Sequence, residues 1–294
     1  MAAPLAPLID QWRPLPDPPG RIAVPPSLRA ISLAATARTL DGLLAVVPSE
    51  RDAEQLADDI ALFTEGVVLL PAWETLPFEH VSPNITTMAA RSVARHRLSA
   101  AEPGLIVVGS VRAVTQRLSP SDCSPLVVTS GAEVDRESVE RSLAAAGYTR
   151  TDRVEARGEF AVRGSIIDVF PAQAFDPVRL DYFGDVVEEL RLFSTVSQRS
   201  TADVDRLVAY PARELRPDPE VQLKAADLLL SEPWAASTWD RVAEGATFAG
   251  IESWLPWLAP PVSLLAEVTV PIVVFDPVRA ADRSKELTKE EAEL

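Results

Sequence analysis

The groups most able to do chemistry are few. The chain of 294 residues holds two histidines, His80 and His96, and one cysteine, Cys123. The histidines are not at i, i+4 spacing and no second thiol stands near either, so solvated or capping roles are expected and no metal site is assigned. No G-x-S-x-G elbow marks a nucleophilic serine. Carboxylates are abundant, so adjacent pairs such as Glu188 and Glu189 carry no assignment and read as solvated edge charges. A phosphate-cradling loop needs glycines that let backbone N–H groups approach the anion. Neither G-x-x-x-x-G-K-[ST] nor G-x-G-x-x-G occurs. The stretch before the helix expected at 27–37 reads AVPPSLRA, where two prolines remove donors. Hence no catalytic residue, cofactor or metal is assigned, and the chain is not expected to be an enzyme.

Three residues suggest recognition instead. In PVRLDYF (177–183), alternation along a strand puts Val178, Leu180 and Tyr182 on a core face and Arg179, Asp181 and Phe183 on a face that should meet solvent. A phenylalanine on a polar face, flanked by arginine, is how protein interfaces place energetic anchors. It is also compatible with Phe183 packing under a neighbouring loop or adjoining domain. Arg163, just before Gly164 in the preceding strand, is either a second contact or an ordinary surface ion pair with Asp181 or a nearby glutamate. The spacing does not say whether Arg163, Arg179 and Phe183 meet.

The elements that must position these residues are legible from periodicity. Helix (27–37), strand (43–49), helix (50–63, with Ala53, Leu56, Ile60 and Phe63 in phase), strand (67–71), helix (86–100) and strand (105–109) alternate, as in a parallel βαβ domain. A helix at 135–146, stopped by Gly147, precedes strands within 158–171, 177–183 and 186–194, separated by Gly- or Pro-bearing turns, as in an antiparallel meander. Beyond Pro211 come a helix (VQLKAADLLL) and one buried strand, PIVVFDP (271–277). The expected layout is a Pro-rich segment at 1–26, an α/β domain at 27–120, an inserted α+β domain at 125–205, the rest of the α/β domain at 211–283 and a charged tail at 284–294.

The formal net charge is −15. A duplex-binding surface needs lysine and arginine to replace phosphate counterions, so protein partners are expected rather than nucleic acid. The positive charge is nearly all arginine, the better partner for carboxylates. No run of 18 apolar residues and no basic-then-apolar start are present, so no membrane span or secretory signal is expected. A lone cysteine fits a reducing cytoplasm, with Cys123 an inert, partly buried thiol.

The runs RGEFAVRGSIIDVFP, PVRLDYFGDVVEELRLFS and QRS together resemble the signature shared by UvrB and the transcription-repair coupling factor (Mfd) family. LLPAWETLPFEHVSPN (69–84) and IVVFDP resemble the coupling factors in particular. UvrB keeps a phosphate loop that the coupling factor has lost, so its absence here selects the latter. The resemblance spans most of residues 40–283. It implies a degenerate RecA-like α/β domain, discontinuous, with an inserted domain that docks on UvrA through the residues matching Arg163, Arg179 and Phe183. Ser165 departs from the family's usual Gly or Ala. The resemblance further implies that RNA polymerase and DNA are engaged only by downstream domains, an ATP-driven translocase among them. It also implies that the UvrA patch is masked by contact with the factor's C-terminal part. The alternatives are a UvrB-like excinuclease fragment that binds nucleotide or DNA, and a purely structural autoinhibitory brace.

Overall fold

The computed structural model describes residues 3–15, 20–76, 79–260 and 262–293. Part of the Pro-rich start (16–19) and residues 77–78 of the LLPAWETLPFEHVSPN run lie outside them. In chain order the elements are α1 (Arg29–Ala37), β1 (Leu43–Val47), α2 (Glu50–Ala61), β2 (Val67–Leu70), α3 (Ile85–Ser99), β3 (Ile106–Ser110), α4 (Val111–Thr115), β4 (Arg117–Leu118), β5 (Leu126–Thr129), α5 (Arg136–Ala145), β6 (Thr149–Arg150), β7 (Glu159–Arg163), β8 (Ile166–Val169), β9 (Val178–Phe183), β10 (Val186–Phe193), β11 (Ser200–Asp203), β12 (Arg206–Ala209), α6 (Pro219–Ser231), α7 (Ala236–Ala243), α8 (Leu255–Leu258), β13 (Val262–Ser263), α9 (Leu264–Glu267), β14 (Ile272–Val274) and α10 (Pro277–Ala292). They fall into two units. One comprises Met1–Trp73, Ala94–Leu118 and Val262–Leu294; the other comprises Glu74–Val93 and Ser119–Pro261.

The first unit holds a four-stranded sheet in the order β14-β1-β3-β2, parallel throughout. Alternation along β1 divides its side chains between two cores. Leu43, Ala45 and Val47 pack with Leu33, Ala53, Leu56 and Ile60 on the side of α1 and α2. Leu44 and Val46 pack with Ala94, Leu98, Val114 and Ala280 on the other side. A strand covered on both faces reads as the unbroken apolar run LLAVV. Ser49 starts α2 by accepting a hydrogen bond from the Asp52 amide. Two details depart from the sequence reading. The strand at 271–277 is β14, at the edge of the sheet beside β1, and Ile272 and Val274 are exposed rather than buried. The N-terminal stretch, which lacks periodicity, supplies a 3-10 turn whose Ile9 is buried beside α1.

The second unit is built on a six-stranded sheet, β11-β10-β9-β8-β7-β6, antiparallel except for the short β6–β7 pair. Val178, Leu180 and Tyr182 are buried with Val139 and Leu143 of α5, so the expected core face of β9 is the core face. β5 and β12 pair antiparallel, so residues 126–209 begin and end side by side. Residues 211–260 belong to this unit and not to the unit holding the parallel sheet; only the chain from 262 onward returns there. Polar ties account for this. The Arg91 guanidinium donates to the Glu214 carboxylate, both side chains being fully buried. Arg213 donates to Glu252 (2.9 Å) and to the Ser82 hydroxyl (3.0 Å). Trp239, fully buried, meets Trp254 edge-on at 5.0 Å between ring centres. These elements give a mixed α/β protein with a parallel sheet and separate antiparallel sheets.

Candidate functional site

Arg163, Arg179 and Phe183 all lie on the outward face of the six-stranded sheet. Hydrogen-bonded neighbours share a face, and the register sets Arg163, Ile166, Asp181 and Glu189 in one row and Ala161, Asp168, Arg179 and Arg191 in the next. Phe183 ends β9, two residues beyond Asp181. Arg163 is two strands from Asp181, about 10 Å, and Phe183 is about 7 Å farther along β9. Arg179 and Phe183, four residues apart on one strand, are separated by about 13 Å. One compact face therefore carries all three.

Two tight hairpins hold its outer edge. Gly164–Ser165 joins β7 to β8, and Gly184–Asp185 joins β9 to β10. Two-residue loops of this kind need positive φ, which Gly164 (+59°) and Gly184 (+63°) supply without a Cβ penalty. β7 and β9 run the same way, so both tips lie at one end of the sheet. The approach to α5 ties them down. The Val134 amide donates to the Asp185 carbonyl (2.8 Å), and Arg136 donates to the Gly164 carbonyl. Asp135 caps α5 between these ties, accepting from the Glu137 and Ser138 amides.

The three residues differ in what they offer. Phe183 is 78% exposed opposite Val186 across its turn, and packs under no loop. Arg163 donates from Nε to the Asp152 carbonyl at 2.9 Å and makes no ion pair with Asp181, which lies 3.7 Å from Arg191 instead. Beside Arg163 an open cleft of about 860 Å³ is lined by Arg150, Thr151, Asp152 and Val162. Arg179 does not meet solvent freely, contrary to the alternation argument. Its side chain is 17% exposed. Nε and Nη2 donate to the two Asp168 oxygens at 2.7 and 2.8 Å, and Nη1 donates to the Gln198 carbonyl at 3.3 Å. Its guanidinium carbon sits 5.0 Å from the centre of the Phe193 ring. The Asp168 hydrogen bonds hold Arg179 above its already high pKa, against the opposing effect of burial. The reason for the burial is a small apolar cluster, Val154, Ala161 and Phe193 with Phe170, that roofs this half of the outward face.

Asp168 and Phe193 were invisible as site residues in the sequence. A carboxylate at 168 alternates correctly for an outward position, but only the β8–β9 register reveals that it faces Arg179. Glu188 and Glu189 sit at an irregularity in the β9–β10 ladder between Val187 and Glu189, and Glu189 pairs with Arg191.

In the parallel-sheet unit, ligands of open α/β sheets would sit outside the carboxyl ends of the strands, at the start of the following helix. Here that position holds the protein's own acid. The Glu50 carboxylate, in the first turn of α2, accepts from the Ser110 hydroxyl at the end of β3 and from the Ala72 amide (3.2 Å) just after β2. A fixed carboxylate there repels phosphate. Among the described residues no group of three or more His, Cys, Asp or Glu could hold a metal ion, and no helix is long and apolar enough to cross a membrane.

Residues 126–215, which carry the whole candidate face, match the UvrB interaction domain family. Over 91% of its length the chain is 36% identical to the transcription-repair-coupling factor of Mycobacterium bovis, and over 72% it is 32% identical to that of Escherichia coli. UvrABC system protein B of Thermosipho africanus is 32% identical over 44% of the chain. The chain spans about a quarter of the length of the coupling factor from M. bovis and about a fifth of that from E. coli. Sequence similarity along nearly the whole chain, with the matched domain at its centre, establishes that it belongs to the transcription-repair-coupling factor family and carries a UvrB interaction domain.

Proposed function

We propose that the chain is a non-catalytic adaptor that binds UvrA through the outward face of the six-stranded sheet, with Phe183 as anchor and Arg163 and Arg179 as flanking polar contacts. The observation that carries this reading is Phe183. A large aromatic ring stands 78% exposed beside a hairpin turn that is tied to the segment leading into α5, within the domain matched to UvrB interaction. Aromatic anchors beside arginines dominate protein interfaces, and a rigid support reduces what binding must order. Within a complete coupling factor, this module recruits excision repair to RNA polymerase stalled at a lesion, while downstream domains supply ATP-driven translocation on DNA. The Glu50 carboxylate at the α2 start and the net charge of −15 favour an adaptor over a nucleotide- or DNA-binding subunit.

The test is calorimetric titration of the folded chain with UvrA, in parallel with ATP and with duplex DNA. Saturable binding to UvrA alone supports the adaptor. No heat with UvrA transfers the role to a structural brace, and binding of ATP or duplex in its place supports a UvrB-like subunit.

A further inference from the structure

We infer that Asp168 is a positioning residue for the docking face: it fixes Arg179 in its presenting conformation before any partner arrives. The inference rests on the UvrA-binding reading above and adds to it a residue that makes no contact with the partner.

Asp168 is anomalous for its place. It lies on the outward side of β8, yet is 2% exposed. A buried carboxylate is strongly disfavoured unless it is paired and hydrogen-bonded. Both of its oxygens are taken by Arg179 in a fork at 2.7 and 2.8 Å, the planar bidentate match that lysine cannot make. The guanidinium is then pinned twice more. Its central carbon sits over the Phe193 ring, 5.0 Å from the ring centre, and Nη1 donates to the Gln198 carbonyl. Gln198 is itself held in a left-handed conformation (φ 59°), its side-chain amide donating to the Thr195 (2.8 Å) and Val154 (3.3 Å) carbonyls. Strands β8 and β9 and the β10–β11 loop thus converge on one arginine.

This arrangement matters for binding. A free arginine samples many rotamers and loses that freedom when a partner fixes it. Here the freedom is already lost in the unbound chain, so docking gains from preorganisation. The pair also changes what Arg179 displays. Its charge is matched by Asp168, and three of its five N–H groups are engaged within the protein. What remains for a partner is two directional donors on a nearly neutral pair. Such a group is suited to a carbonyl or amide acceptor more than to a lone carboxylate.

The experiment is a double-mutant cycle on the full 294-residue chain, titrated with UvrA: wild type, Asp168→Asn, Arg179→Gln and the double variant. Fold is checked by circular dichroism, and the Arg179 Nε–H resonance is followed by NMR in the free chain. Asp168→Asn should weaken binding about tenfold or more. The double variant should bind no more weakly than Arg179→Gln alone, because Asp168 acts only through Arg179. The slowly exchanging Nε–H signal should be lost in Asp168→Asn. Should Asp168→Asn misfold, Arg179→Lys replaces it in the titration: it keeps the charge opposite Asp168 but loses the fork, and should weaken binding similarly. Asp168→Asn binding within twofold of wild type, or losses that multiply in the double variant, overturns the inference. If wild type fails to bind UvrA, the partner reading fails and docking through Arg179 fails with it. The Nε–H signal then decides separately whether Asp168 immobilises Arg179.

Discussion

Replacing Phe183 by alanine separates folding from recognition. A phenylalanine buries about 150–250 Å² when fully covered. At 78% exposed in the free chain, Phe183 retains about 150 Å² to be covered, worth about 4 kcal/mol at ~25 cal/mol per Å². Side-chain ordering and imperfect contact reduce this, so truncation of a central anchor should cost about 2–3 kcal/mol of binding. That corresponds to a rise in Kd of about 30- to 150-fold. The same change removes almost no packing from the folded chain, and denaturant stability should stay within about 0.5 kcal/mol of wild type. Calorimetry with UvrA reads the first quantity and urea unfolding followed by circular dichroism reads the second. The reasoning is refuted if the variant binds UvrA within about threefold of wild type. It is refuted equally if stability falls by more than about 1 kcal/mol, which would make Phe183 a packing residue.

Other outcomes follow from the same structure. Arg91→Met removes the guanidinium that neutralises the buried Glu214 carboxylate and should cost about 3–5 kcal/mol in urea unfolding, with Arg91→Met/Glu214→Leu recovering part of the loss. Gly184→Ala places a Cβ at φ +63° with open space around it, so the loss is purely conformational, about 1–2 kcal/mol; a larger loss in urea unfolding would mean a hidden clash. The Tyr182 hydroxyl is buried without a hydrogen-bond partner among the described residues, and burial first, then the negative Asp135, pushes its pKa from 10.0 up to about 12. Above pH 10 the unfolded chain releases this proton and the folded chain keeps it, so stability falls as pH rises from 10 toward 12. Tyr182→Phe should flatten that fall and leave neutral-pH stability unchanged or up to about 1 kcal/mol higher. A pH series of urea midpoints showing the same alkaline slope in both proteins would dismiss the argument.

Most of the local structure is legible in the residue pattern. Short apolar runs marked LLAVV and LIVVG as strands, and the phase of Ala53, Leu56 and Ile60 marked the buried side of α2. Strict alternation in VRLDYF assigned Val178, Leu180 and Tyr182 to the core and set Phe183 apart as the anomaly. These are short-range signals, fixed by the periods of helix and strand. Relations between distant segments emerge only when the chain is folded. That Arg163 and Phe183 share a face depends on the register of β7, β8 and β9. That Arg179 is a fork-paired, mostly covered group depends on Asp168, Phe193 and Gln198, brought to it from 11, 14 and 19 residues away. That residues 211–260 join the antiparallel unit depends on buried ties such as Arg91 to Glu214, 123 residues apart. A side chain's face is written in its neighbours, whereas its partner is chosen by pairing register and packing, which no local period encodes.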